Sequence, residues 1–255
     1  MSSDLKATTA IVTGAGNGLG LAIARRFVAG GAKVLLVDQD PAVLERVGSD
    51  DLPSESAFAL VQDLADPDCA PYVFAAARKT LGQVNILVND AAWSFHKPML
   101  EVTQAEFDKV VYINQRAPYF LAQEFYRDIA NATTKPANPT IVNIASVNAS
   151  RGNPNLVAYA GTKGAVLAMT RAMAVEMSPL GIRVVSISPG AVKTAHTQSL
   201  IDSGVIDPPK LFAKSLVKRF ASCEEVADLA AYLASSRAAF VTGADWAFDG
   251  GYLAF

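Results

Sequence analysis

The stretch from residue 10 to residue 28, AIVTGAGNGLGLAIARRFV, decides how the chain is read. It opens on a short apolar run, Ala10-Ile-Val-Thr13, which reads as a buried strand. Glycines follow at 14, 16, 18 and 20, and then Leu19, Ala22, Ile23 and Phe27 recur at helical spacing. The order is therefore strand, glycine-rich turn, helix. Such a turn lets the backbone come close to a pyrophosphate, and the helix N-terminus adds free N–H groups and a favourable dipole. Gly14, Asn17, Gly18, Leu19 and Gly20 are the first candidate cofactor residues. The pattern is Thr-Gly-x-x-x-Gly-x-Gly, because a G-x-G-x-x-G begun at Gly14 would need glycine where Leu19 stands. A glycine-rich turn with no ligand is the plain alternative.

Gly30 and Gly31 end that helix, and Lys33-Val-Leu-Leu-Val-Asp38 reads as a second strand, closing a βαβ unit. Asp38 falls at the strand's end. A carboxylate there accepts hydrogen bonds from both hydroxyls of an adenosine ribose and repels a 2′-phosphate. Positions 15 to 19 and 39 to 40 hold no Arg or Lys, so NAD is the expected cofactor rather than NADP. The competing reading of Asp38 is a turn residue.

The alternation continues to the C-terminus. Strands are expected over 57–62, 84–89, 140–145, 182–188 and 242–248. Helices are expected over 41–47, from an Asp66 N-cap to Leu81, from a Thr103-x-x-Glu106 capping box to Asn131, over 155–177 and over 223–234. Strands alternating with helices predict an α/β fold, a doubly wound parallel sheet with helices on both faces, in one domain over 1–255. Residues 191–220 break the rhythm with a Gly/Pro-rich excursion and one short helix. Leaving a strand's C-terminal end, it is read as a lid over the ligand crevice, against the alternative of an ordered packing segment.

Composition removes several classes. Half of the 255 residues are apolar, net charge is −2, and no basic run exceeds two residues, so neither nucleic acid nor an anionic membrane is an expected partner. The start, Met1-Ser-Ser-Asp-Leu-Lys, lacks the basic and apolar regions of a signal peptide, and no apolar run approaches the ~20 residues of a bilayer span. Cys69 and Cys223 lie far apart, as two free thiols of a cytoplasmic protein. His96 and His196 are isolated, so no catalytic metal is expected.

The chemistry sits in Ser146–Lys163, SVNASRGNPNLVAYAGTK. Tyr159 and Lys163 stand four residues apart, one turn of a helix on one face. A free tyrosine ionises near pH ~10, and a neighbouring cation favours the phenolate. Ser146 follows a buried strand, where its hydroxyl can reach a substrate oxygen. Serine, tyrosine and lysine together suit proton transfer at a carbinol oxygen.

With these pieces placed, the chain resembles the short-chain dehydrogenase/reductase family over essentially its whole length. The matching motifs are the Thr13–Gly20 turn, Asp63, Asn89-x-Ala91, Asn114, Ser146, Tyr159-x-x-x-Lys163, Pro189-Gly190-x-Val192-x-Thr194 and Asp249-Gly-Gly251. The resemblance implies a Rossmann-type fold, a homotetramer or dimer, and a catalytic tetrad of Asn114, Ser146, Tyr159 and Lys163. In it Tyr159 is the acid/base, Ser146 orients the reacting oxygen, Lys163 binds the nicotinamide ribose and lowers the tyrosine pKa, and Asn114 holds a water that links Lys163 to solvent. It also implies that Asp63 and Leu64 flank the adenine, that Asn89 lines the cofactor cleft, and that Pro189, Gly190, Val192 and Thr194 hold the nicotinamide end. One departure stands out: Asn89-Asp-Ala-Ala92 replaces the family's usual Asn-Asn-Ala-Gly, and alanine at 92 would strain the turn if that position needs positive φ.

The expected reaction is hydride transfer between NAD and a secondary alcohol or carbonyl, with oxidation favoured. Trp93, Asn148, Arg151, Asn155 and His196 are the candidate substrate residues, in a wall that also draws on Ser94, Phe95, His96 and Asn153. Its amides suit a sugar or polyol, and Arg151 could pair an acidic group. Two alternatives stand beside this: a hydrophobic alcohol or hydroxyacyl substrate, and an NAD(H)-binding protein without turnover. The intact tetrad speaks against the second.

Overall fold

The computed structural model describes residues 4–254. Residues 1–3, part of the start read above against a signal peptide, and Phe255 lie outside them. Seven strands form one parallel sheet: β1 (Thr9–Thr13), β2 (Lys33–Asp38), β3 (Ala57–Val61), β4 (Ile86–Asn89), β5 (Thr140–Ile144), β6 (Arg183–Pro189) and β7 (Asp245–Phe248), in the order β3-β2-β1-β4-β5-β6-β7. Chain order reverses direction between β1 and β4. In open sheets of this kind the crevice beyond the strand ends at that reversal receives ligands.

Period-two alternation splits the strand residues between two cores. Val12, Leu36, Val88 and Val142 face α1 (Gly18–Ala29) and α8 (Cys223–Ala234), and pack with Ile23, Phe27 and Ala230. Ile11, Leu35, Leu87 and Ile141 face the other way. They pack with Phe74 of α2 (Cys69–Thr80), Phe125 of α4 (Ala117–Asn131) and Met173 of α5 (Val157–Met177). Phe27, Phe74 and Phe125 are fully buried, each stabilising the fold by roughly 1.5–3 kcal/mol. A sheet covered on both faces explains why its strands read as continuous apolar runs.

Several boundaries differ from the sequence reading. Asp66 precedes Pro67, which disfavours helix at that position, and its carboxylate accepts the Asp68 N–H in a turn; α2 begins only at Cys69. α5 begins at Val157, because Asn155 takes a left-handed φ of 64°. β7 begins at Asp245, after Gly243 turns the chain with φ of 67°. The Thr103 capping box forms as expected at α3 (Gln104–Val111). The helix beyond it is not continuous: a π-helical turn, Tyr112–Arg116, separates α3 from α4. Pro118 explains the interruption, since it has no N–H for the Asn114 carbonyl and its ring would collide there in a regular helix. The excursion carries two helices, α6 (Ala195–Asp202) and α7 (Pro208–Ala213), instead of one. Tyr252 of the tail is buried against its own chain.

Candidate active site

The strand ends at the β1/β4 reversal open into a cleft of about 280 Å³. Gly14, Asn17, Gly18 and Leu19 line one wall, Val37, Asp38, Asp63 and Leu64 a second, and Asp90 to Trp93 a third, with Thr194 and His196 across the mouth. The glycines are needed for space. Gly14 has φ of 67°, and a Cβ there would stand 2.8 Å from the Ala91 Cα. At Gly20 a Cβ would collide with the Gly14 carbonyl and the Asp90 carboxylate. The α1 N-terminus is left open for an anion: Asn17 makes no side-chain cap and the first turn carries no acid. These residues fit a dinucleotide, with the pyrophosphate over the Gly18 end of α1 and the adenosine ribose toward Asp38.

Asp38 is held in place by the glycine turn itself. Its Oδ2 accepts the Gly16 N–H at 2.9 Å and its Oδ1 the Asp40 N–H at 3.0 Å. Arg46, thirty residues from Gly16, donates from Nε to the Gly16 carbonyl at 2.9 Å. Sequence reading missed this cation because it looked only beside the two motifs. Gln39, Gln62 and Ile113 also line the cleft without having been singled out.

Ser146, Tyr159 and Lys163 meet where β5 runs toward α5. Ser146 continues β5 in extended backbone, and Lys163, on the buried face of α5, donates from Nζ to the Ile144 carbonyl at 2.7 Å. Tyr159 is one turn earlier, its ring centroid 5.8 Å from that ammonium, and Ser146 is the hydroxyl that acts on its phenol. Asn114 stands in the π turn. Its Oδ1 accepts the Trp93 N–H at 2.8 Å, and its Nδ2 donates to the Trp93 carbonyl and to Thr162 Oγ1. Thr162 in turn donates to the Tyr159 carbonyl. The Asn114 side chain therefore clamps the Trp93 loop to the first turns of α5.

The electrostatics depart from expectation. Burial pushes the Tyr159 phenol up to about 12, the Ser146 hydrogen bond opposes the rise, and the Asp90 carboxylate adds to it. The lowering expected from Lys163 is not among the causes, since the ammonium turns to the Ile144 carbonyl. Burial also lowers Lys163 and raises Asp90, and their opposite charges each resist that shift. The Asp90 carboxylate also lies against Gly20, which puts a carboxylate beneath the phosphate end of the cleft. Burial raises Cys69 and Cys223 to about 11, which leaves both as inert thiols.

Other predicted residues lie elsewhere. Asn89 does not line the cleft: it is buried and donates to Asn143 Oδ1, which joins β4 to β5. Of the 189–194 run, Thr194 reaches the cleft; Gly190 donates to the Phe248 carbonyl, Pro189 pairs with Phe248, and Val192 is buried in the core. Among the substrate candidates, Trp93 and His196 line the cleft and Asn148 contacts Ser146. Arg151 turns to Tyr252 instead, donating to its carbonyl at 2.8 Å and lying over its ring. Asn155 lines a separate apolar groove with Phe95, Met99 and Phe107, because its left-handed backbone carries it away from the cleft. Ala92 has no positive φ, so it brings none of the strain considered for it. Among the described residues, no group of three or more His, Cys, Asp or Glu could hold a metal, and no helix is long and apolar enough to cross a membrane.

Known proteins place this arrangement. A family model described as enoyl-(acyl carrier protein) reductase matches residues 14–253. L-xylulose reductase of Bos taurus is 34% identical over the whole of both chains. A solved 3-ketoacyl-(acyl-carrier-protein) reductase from Brucella melitensis, complexed with NADH, superposes with a TM-score of 0.88 at 34% identity, covering 97% of this chain and 99% of its own. A Beutenbergia cavernae structure provisionally assigned as an NAD(P)-dependent gluconate 5-dehydrogenase, with NADP bound, superposes with a TM-score of 0.90 at 34% identity over the full length of both. The sheet order, the glycine turn beneath the cleft and these full-length matches establish that the chain belongs to the short-chain dehydrogenase/reductase family.

Proposed function

We propose that the chain is an NAD(H)-dependent oxidoreductase that interconverts a secondary alcohol and its carbonyl, with Tyr159 as acid/base and a small hydroxylated substrate of the sugar or polyol class. The observation that carries this reading is the convergence of Ser146, Tyr159 and Lys163 at the β5 end, beside a cleft whose far wall is the glycine turn and Asp38. The bound nicotinamide supplies or accepts the hydride. The protein's own part is orientation and proton movement. In reduction the Tyr159 O–H bond breaks and its proton passes to the carbonyl oxygen, while the Ser146 hydroxyl donates to the same oxygen and stabilises its developing charge. In oxidation the phenolate takes that proton back. A phenol held near 12 is protonated at neutral pH, which suits reduction there and makes oxidation an alkaline reaction. Lys163 is the residue to hold the nicotinamide ribose. The Asn114 side chain is committed to Trp93 and Thr162, so its main-chain carbonyl, which Pro118 cannot bond, is the site for the relay water.

Asp38 supports NAD over NADP, because a 2′-phosphate would meet its carboxylate. The amides around Ser146 and the L-xylulose reductase relative support a hydroxylated substrate. Residues 191–220 are proposed as a lid, since Thr194 and His196 already stand at the cleft mouth. Exposed Met99, Leu100, Phe107 and Val157 support assembly into a dimer or tetramer. The test is NADH and NADPH formation at alkaline pH against polyols, sugars, hydroxy acids and hydrophobic alcohols, with wild type and Asp38→Ala. Polyol turnover with NAD, and an NAD preference that falls about tenfold in Asp38→Ala, are expected. Turnover of hydrophobic alcohols alone would overturn the substrate class, and an unchanged cofactor ratio would remove Asp38 from the ribose.

A further inference from the structure

Ser146 is tied to the C-terminal turn by an unbroken run of side-chain hydrogen bonds. The Tyr252 hydroxyl donates to Asn153 Oδ1 at 3.0 Å, Asn153 Nδ2 donates to Asn148 Oδ1 at 2.7 Å, and Asn148 Nδ2 donates to Ser146 Oγ at 3.2 Å. The Asn148 backbone N–H donates to the same Ser146 oxygen at 3.1 Å. A serine hydroxyl has two acceptor lone pairs and one proton to give. Asn148 fills both acceptor positions, so the Ser146 proton is left free to be given onward, on the side of Tyr159, whose phenol Ser146 favours in its ionised form. The run has a direction. Each amide accepts from the Tyr252 side and donates toward Ser146, and reversing one amide alone would set oxygen against oxygen or nitrogen against nitrogen, so the two amides keep one common sense. Tyr252 is itself fixed by burial, by the Arg151 guanidinium over its ring and by the Arg151 bond to its carbonyl.

We propose that Tyr252, Asn153 and Asn148 are positioning residues for the reaction: they form a donor chain that fixes Ser146 as a hydrogen-bond donor, turned toward Tyr159 while no substrate is bound and to the substrate oxygen once it is. The proposal rests on the reading of Ser146 and Tyr159 given above. Its chemistry separates it from packing alone. An Asp at 153 keeps the size of Asn but, when ionised, only accepts. The Asn148 amide must then turn its nitrogen to position 153 and its oxygen to Ser146, which draws the serine proton away from Tyr159.

The first test needs no substrate. In 1H–15N spectra of the labelled full-length protein with NADH, the Asn148 and Asn153 side-chain amides, assigned by Asn148→Ala and Asn153→Ala, are expected to exchange slowly with water. Tyr252→Phe, which removes one oxygen and keeps the ring, is expected to shift both. Fast exchange in wild type, or an Asn148 signal unmoved by Tyr252→Phe, would overturn the chain whatever the enzyme turns over. The second test uses galactitol and meso-2,3-butanediol as probes with NAD. Asn153→Asp is expected to lower kcat about tenfold, at least as far as Asn153→Ala, with unchanged NADH affinity, and its deficit relative to wild type at the same pH should narrow as pH falls and the new carboxyl is protonated. Asn153→Asp retaining wild-type kcat while Asn153→Ala loses it would mark a packing role and overturn the proposal. Silence of the wild type on both probes counts against the function proposed above, and the amide spectra then decide the chain alone.

Discussion

The two sides of the cleft are built from different materials. The cofactor side, β1–α1–β2, shapes its site with backbone: glycines at 14 and 20 bring main chain against main chain, and the open N-terminus of α1 faces the cleft. The substrate side shapes its site with side-chain hydrogen bonds between distant residues, such as Asn114 to the Trp93 loop and Tyr252 through two asparagines to Ser146. A site shaped by backbone is little altered when side chains around it change. A site made of side-chain contacts can change its substrate while the sheet stays as it is. The two sides should therefore fail separately when they are damaged.

The largest expected effects form a pair. Tyr159→Phe should lower turnover by roughly 10²–10⁴-fold and leave NADH affinity nearly unchanged. Gly20→Ala should do the reverse, weakening NADH by roughly 10–100-fold, because the added methyl must displace the Gly14 carbonyl at a cost of about 1–3 kcal/mol. Turnover rates and NADH fluorescence titrations on both variants read this split. If both constants fell together in both variants, the two sides would be one unit and the comparison would be wrong.

This division also sets what could be read in advance. All seven strands and the glycine turn follow from local pattern, because apolar runs and glycine spacing act within a few residues. Asp38 was legible for the same reason, whereas Arg46 was not, since its approach to Gly16 depends on how residues 41–46 turn back. Asn153 was legible only as a wall residue, and its link to Tyr252 left no signal. They lie 99 residues apart, and only the fold brings the phenol to the amide. Arg151 shows the opposite failure: its charge suggested an acidic substrate group, but the C-terminal turn takes it. Asn89 looked like a cleft residue, and the sheet uses it to bind Asn143.

A smaller effect tests the one place where the two sides touch. Asp90 belongs to the Trp93 loop, yet its carboxylate lies against Gly20 and in the field of Lys163. Burial raises its pKa, so the group is more protonated at a given pH than an ordinary carboxylate and charges only as pH climbs above the usual value of 3.8. The charged form repels the pyrophosphate. NADH affinity of the wild type should therefore weaken as pH rises, by roughly fivefold across the ionisation, and Asp90→Asn should bind NADH more tightly at high pH with a flatter profile. Fluorescence titrations between pH 5 and pH 9 check this. Identical profiles for the two proteins would show that Asp90 does not couple the sides.

The most direct test of the central claim, that Tyr159 is the group whose proton is moved, is the pH dependence of kcat/KM for alcohol oxidation. Burial holds the free phenol near 12, so the phenolate that accepts the proton is scarce at neutral pH and grows about tenfold for each pH unit below that value. The account predicts that kcat/KM for NADH formation climbs steadily with pH through this range, and that Tyr159→Phe removes the climb. A pH-independent kcat/KM, or a climb that survives in Tyr159→Phe, would contradict it.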